Sequence, residues 1–185
     1  YINNKAEFTV IIGAHYDHLG YGAHGSLHTG EPAIHNGADD NASGVAVMLQ
    51  LAEKLNGANK NNNYLFIAFS GEERGLWGSN FFAKEPTLQL ERVNYMINMD
   101  MVGRLNEENK LAINGTGTSP VWTETLKSLS NGRFDLVLSE SGVGPSDHTS
   151  FYLKGIPVLH FFTGQHEDYH KPSDDVEKIN FKGMN

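Results

Sequence analysis

Short apolar runs alternate along the chain with longer amphipathic stretches, the order expected when strands and helices are layered as α/β. Strands are predicted near Glu7 to Ala14, Asn63 to Phe69, Val93 to Met99, Leu111 to Asn114, Phe134 to Leu138 and Pro157 to Phe161. Between them, SGVAVMLQLAEKL from Ser43 sets Val47, Leu51 and Leu55 on one face at helical spacing, and GLWGSNFFAK and SPVWTETLKSL are further helix candidates. The segment from Leu19 to Ala38 is rich in Gly and His and has no period, so it reads as a loop, and a loop of that length is uncommon without a purpose. NKNNN at Asn59 to Asn63 is a polar turn before a strand.

A chain of 185 residues is sized for one domain, residues 1–185. Its apolar runs, such as FTVII, YLFIAF and VNYMINM, are far too short to span a bilayer, so no membrane insertion is expected. The formal net charge of -8 repels a polyanion, which argues against a nucleic-acid partner. Acidic groups in excess favour cations instead. With no cysteine, thiolate nucleophiles, disulfides and Cys-type zinc sites are all excluded, and any metal site has to be built from His and carboxylates. YINNKAEF at the start has neither a basic nor an apolar leader region, and KINFKGMN ends as a new element begins, so both ends read as cut from a longer chain.

Open α/β sheets bind ligands at the carboxyl ends of their strands, so the residues there carry the argument. His15-Tyr16-Asp17 closes the first strand, and residues two apart in extended chain point the same way, which lets Asp17 orient the His15 ring. Gly37-Ala38-Asp39-Asp40-Asn41 leads into the first helix; capping needs one such residue, and two carboxylates plus Asn exceed it. Ser70-Gly71-Glu72-Glu73 follows the second strand, and a capping box through Ser70 and Glu73 explains Glu73 without explaining Glu72. Asp100 closes the third strand, and Tyr169-His170 follows the last, where Pro172 and Ser173 are also compatible with a helix start. Each cluster has a plain structural explanation taken singly, but a convergent site explains all five at once. His15, one carboxylate of the Asp39-Asp40 doublet, Glu73, Asp100 and His170 supply the five ligands that a carboxylate-bridged metal pair requires, and Glu72 remains free as a general base.

Through GAHYDHLG, GADDNASG, SGEERGLWGS, INMDMVGR, SDHTSF and DYHKPSDD, in that order from Thr9 to Asp175, the sequence resembles the di-zinc aminopeptidases of metallopeptidase family 28, clan MH. The resemblance implies a three-layer α/β/α fold around a central mixed, mostly parallel sheet, and a cofactor of two Zn2+. It implies that His15 and Asp100 bind one zinc, that Glu73 and His170 bind the other, and that Asp40 bridges them because it stands two places before the Ala-Ser-Gly turn. It makes Glu72 the general base, Asp17 the partner of His15 and Tyr169 the donor to the tetrahedral oxyanion. Met101 and Phe161-Phe162 are candidates to line a side-chain pocket. The implied substrate is a peptide with a free N-terminus, and the implied location is secreted or periplasmic.

Three other readings compete. A glutaminyl cyclase of the same fold works with one zinc, which two histidines and a bridging Asp40 disfavour. A carboxypeptidase needs a cation for the substrate carboxylate, for which Arg74 and Arg104 are the nearest candidates. A non-catalytic homologue has no reason to keep Glu72 beside a complete ligand set. His148 rivals His170 as a ligand, but the resemblance places it in a loop beside the site; His18, His24, His28 and His35 are assigned no role.

Overall fold

TVIIGAH is apolar at nearly every position, and strand β1 (Thr9–His15) is buried along its whole length, as a strand is when a sheet is covered on both faces. The computed structural model of the protein describes residues 1–22 and 24–185. β1 pairs in parallel with β2 (Asn63–Phe69) on one side and with β3 (Val93–Met99) on the other. β6 (Val158–Phe162) continues parallel to β3, while β4 (Lys110–Asn114) runs antiparallel to β6 and carries β5 (Asp135–Ser139) in parallel at the edge. The strand order is β2-β1-β3-β6-β4-β5, so the sheet is mixed and mostly parallel, as expected.

The two faces of the sheet have separate cores because successive residues of a strand point to opposite sides. On one face, helix α1 (Gly44–Leu55) lays Val47, Leu51 and Leu55 against Val10, Ile12 and Met99, the helical face anticipated from the sequence. On the other, Ile11, Phe69, Met96 and Val158 meet Phe151 of α4 (His148–Tyr152) and Phe82 of α2 (Trp77–Lys84). The Phe151 ring lies 5.8 Å from that of Phe69 and 5.9 Å from that of Phe82; burying a ring of this size stabilises by about 1.5–3 kcal/mol. α3 (Trp122–Ser130) packs beside β5 and sets Trp122 edge-on to Tyr95 at 5.0 Å.

Two features differ from the sequence reading. α2 begins at Trp77, so Ser70 and Glu73 are not its capping box; Gly71 (φ 72) and Leu76 (φ 60) are left-handed and hold residues 71–76 in a turn. His148, expected in a loop, opens the short helix α4 and is buried, stacked on His160 at 4.5 Å. Five residues are too few to show a helical period. Among the described residues no helix is long and apolar enough to cross a membrane.

What places the site is the route of the chain. From β1 it crosses by α1 to β2 at the edge, then returns by α2 to β3 on the far side of β1. The strand order reverses between β1 and β3, and at such a point the two connections part and leave a crevice at the carboxyl ends.

Candidate metal centre

His15, last residue of β1, is 1% exposed, and its Nδ1–H donates to the backbone carbonyl of Asp17 at 3.1 Å. The Asp17 carboxylate stands farther off, 3.9 Å from the same nitrogen, and accepts instead the backbone N–H of Glu72 at 3.1 Å. Asp17 therefore holds the ring by its main chain and ties the β1 end to the β2 turn by its side chain. His170 is arranged in the same way, its Nδ1–H donating to the carbonyl of Gly25 at 2.8 Å, within the long loop after β1. In both imidazoles Nδ1–H donates to a backbone carbonyl, so Nε2 faces the crevice as the nitrogen open to a metal. His170 and Met101 both have left-handed backbones (φ 55 and 54), a strain of order 1–3 kcal/mol that collects around functional sites.

The turn GADDN divides its side chains by direction. Gly37 (φ 62) lies so close to the His18 ring that a Cβ there would stand 2.8 Å from it, which explains the glycine. Asp39 turns inward, its Oδ1 accepting from the Gly103 N–H at 2.7 Å and from Ser43 Oγ at 2.9 Å. Asn41 Oδ1 accepts the N–H groups of Gly44 and Met101, at 3.0 and 3.1 Å, which joins the start of α1 to the end of β3. One carboxylate oxygen of Asp174 accepts the backbone N–H of both Asp39 and Asp40, at 2.9 and 3.0 Å. Only the Asp40 carboxylate is left to point into the crevice.

There it meets both imidazoles, Oδ1 lying 3.3 Å from His15 Nε2 and Oδ2 3.3 Å from His170 Nε2. His15 Nε2 is also 3.3 Å from Asp100 Oδ1, and His170 Nε2 is 3.3 Å from Glu73 Oε2. Two triads result, His15–Asp40–Asp100 and His170–Asp40–Glu73, sharing Asp40 through different oxygens. All five donors predicted from the sequence are thus brought together.

Those separations fit a metal better than a network of direct bonds. A charge-assisted N–H···O bond closes to about 2.7–2.9 Å. Donors that each lie about 2.0–2.1 Å from one tetrahedral ion stand about 3.3–3.4 Å from one another. Charge gives the same answer. Burial alone disfavours protonation of His15, yet Asp100 and Asp40 outweigh it and push its imidazole up to about 12. His170, opposed in the same way by burial, is raised to about 10 by Asp40 and Glu73. The carboxylates demand positive charge at both nitrogens, and a divalent cation in each triad would displace those protons and meet the demand.

Glu72 is not one of the five predicted donors, but it stands beside the His15 triad, with a carboxylate oxygen within 4.8 Å of the donor atoms of His15 and Asp100. It lines a cavity of about 190 Å³ together with the five donors, and burial, reinforced by Asp100 and Asp147, pushes its carboxyl up to about 9, while the His15 charge acts against the shift. The wall of the cavity is completed by Met101, Asn114, His160, Phe162 and Tyr169. Phe162 and His160 share one face of β6, whereas Phe161 points the other way into the α1 core, so of the expected pair only Phe162 reaches the site. Tyr169 stacks on His170 at 3.8 Å, and burial beside Asp40 and Glu73 keeps its phenol protonated.

Three residues without an assigned role in the sequence reading support this site. His18 places Nδ1 2.8 Å from Glu73 Oε1, and Asp174 holds the turn that carries Asp40. Asp168 accepts from Arg104 Nη2 at 2.7 Å, Lys178 Nζ at 2.5 Å and Ser173 Oγ at 2.7 Å, clamping the segment around His170 to the end of β3. Arg104 is therefore spent on Asp168 and is not available to a substrate carboxylate. Burial opposes ionisation of Asp168, but its three donors overcome it and hold the carboxyl well below the ordinary range. Asp168→Ala is expected to cost about 2–4 kcal/mol in urea unfolding at neutral pH. Because the folded pKa lies below the unfolded value of about 3.9, this contribution is complete above that pH and fades as the pH falls, so the gap to wild type narrows on acidification. A gap that stays constant from pH 7 to pH 3 would show that the clamp does not depend on charge.

The sequence model of peptidase family M28 matches residues 1–185. Aminopeptidase YwaD of Bacillus subtilis (strain 168) is 32% identical across 96% of this chain and 38% of its own length. The structure of BSAP, a zinc aminopeptidase from Bacillus subtilis, superposes with a TM-score of 0.74 at 31% identity, over 96% of this chain and 42% of that one. A glutaminyl cyclase of Bacteroides thetaiotaomicron reaches a TM-score of 0.76 at 19% identity, over 99% of this chain and 70% of that one, a likeness of fold alone. The chain spans about half or less of the length of the curated relatives it matches. Since the match runs through every segment that brings a donor to the crevice, from β1 to the turn after β6, the chain belongs to peptidase family M28.

Proposed function

We propose that the protein is a zinc-dependent aminopeptidase, binding two Zn2+ and hydrolysing N-terminal residues from peptides. The observation that carries this reading is the pair of triads sharing Asp40, with Glu72 facing the same cavity beside the His15 triad without being one of the five donors. His15, Asp40 and Asp100 would hold one ion, and His170, Asp40 and Glu73 the other. When bound, the ions polarise the scissile carbonyl and acidify a water molecule.

The remaining chemistry falls to the chain's own residues. Glu72 takes the proton from the attacking water and delivers it to the leaving amine, a role that needs a carboxylate whose pKa is poised by its surroundings. Burial raises that pKa and the His15 charge lowers it, and cations held in the triads would lower it further. The phenol of Tyr169 remains protonated and supplies a hydrogen-bond donor for the oxyanion. Among the described residues lining the cavity there is neither Lys nor Arg, while Asp40, Glu72, Glu73 and Asp100 all face it. No side chain there offers a cation to a substrate α-carboxylate, which favours cleavage at the N-terminus over a carboxypeptidase.

The test is elemental analysis of the purified protein combined with a chromogenic leucyl substrate. About two zinc equivalents are expected, with product release abolished by a chelator, restored by zinc and absent for the N-acetylated substrate. Cleavage of the acetylated form at an equal rate, or a metal content near zero in active protein, would overturn the reading.

A further inference from the structure

The structure assigns His18 the role of a positioning residue, one that fixes Glu73 as a donor to one triad and leaves the other untouched. The inference rests on the proposed two-metal reading. It starts from a side chain that belongs to neither triad and yet offers a hydrogen bond to a donor of the His170 triad. His18 Nδ1 stands 2.8 Å from Glu73 Oε1, and because a carboxylate only accepts, Nδ1 carries the proton. The other oxygen of Glu73, Oε2, is the one 3.3 Å from His170 Nε2. One oxygen is thus engaged by His18 and the second is aimed at the crevice.

The ring itself is held rigidly. Gly37 packs against it where any side chain would clash, the His170 ring lies edge-on at 5.9 Å, and little of the side chain reaches solvent. At 3.9 Å from Asp40 Oδ2, Nδ1 is beyond hydrogen-bond distance of the shared carboxylate. Its bond is to Glu73 alone. No comparable contact joins it to His15 or Asp100, whose triad sits on the ends of β1 and β3. His15 is oriented from the chain turn at Asp17, whereas His170 and Glu73 are oriented by Gly25 and His18, both from the segment that follows β1. Asp17 thus supports His15, while His18, the next residue along the chain, and Gly25 in the long loop support the His170 triad.

Partners that orient a metal ligand in this way typically change affinity by about 10–100-fold when removed. Zinc affinities of the wild type, His18→Ala and His18→Asn are to be measured by competition with a chromophoric chelator, resolving the two equivalents. His18→Ala is expected to weaken one equivalent by about 10–100-fold and to leave the other unchanged. His18→Asn, whose Nδ2–H₂ group takes the place of Nδ1–H, restores most of the loss. Melting of the metal-free proteins serves as the fold control, and similar midpoints are expected for all three. Equal weakening of both equivalents, no weakening of either, or failure of Asn to rescue would each overturn the role of His18. A wild type that binds fewer than two equivalents would overturn the two-metal reading itself, and the inference with it.

Discussion

Replacing Glu72 by Gln is expected to lower kcat on a leucyl substrate by about 10²–10⁴-fold while both zinc equivalents stay bound. The separation of the two readouts follows from the geometry. Glu72 stands beside His15 and Asp100 without being one of the five donors, and its backbone N–H, not its side chain, makes the hydrogen bond to Asp17. Gln keeps the shape of the side chain and cannot accept a proton at neutral pH. The expected signature is a fall in kcat with KM little changed, because the lost interaction belongs to proton transfer and not to substrate binding. Chelator titration of the variant should reproduce the wild-type curve. Turnover at the wild-type rate would remove Glu72 from the mechanism, and loss of zinc would make it a ligand.

How much of this was legible in the sequence depends on whether a residue's direction is set locally. Strand ends are readable from short apolar runs, and the rule that ligands gather at carboxyl ends then picks out His15, Asp100 and the residues after β2 and β6. A strand also has a strict period of two, and that is why Phe161 and Phe162 could not both reach the site. Turns have no such period. Within GADDN, the adjacent carboxylates of Asp39 and Asp40 go to opposite environments, and what separates them is the hold of the Gly103 N–H, the Ser43 hydroxyl and His166 on Asp39. His18 is a harder case, since one of four histidines in or beside the long loop touches Glu73 and neither spacing nor composition marks it. His35, by contrast, is fully occupied with Ser26 Oγ at 2.7 Å and the Ala33 carbonyl at 2.9 Å. The SDHTSF motif stands out as a string, yet its contacts are largely internal: Ser146 accepts from Asn98, Ser150 meets Ser79, and Phe151 fills the core. For Asp39, His18 and SDHTSF, tertiary contacts made across 48 residues or more decide these roles, and no local pattern encodes them.

The same division of labour inside GADDN gives the sharpest test of the site, because two neighbouring aspartates should fail in different ways. Asp40 presents Oδ1 to the His15 triad and Oδ2 to the His170 triad, so Asp40→Ala removes a donor from both. Loss of an outer-shell partner already costs about 10–100-fold in affinity, and loss of a shared ligand is expected to exceed 100-fold for each ion. Activity should fall to background with it. His170→Ala removes a donor from one triad only, and one equivalent is expected to remain at near wild-type affinity. Asp39→Ala touches neither triad but strips the acceptor from the buried Gly103 N–H and from His166 Nε2, while the Ser43 hydroxyl keeps the Asp39 backbone carbonyl. Its expected effect is a loss of about 2–4 kcal/mol in the unfolding of the metal-free protein, since buried donors are left without partners. Chelator competition and urea unfolding of the three variants therefore give a crossed pattern, metal loss at position 40 and stability loss at position 39. If Asp40→Ala still bound one zinc as tightly as the wild type, the carboxylate would not be shared, and the two triads would be independent sites.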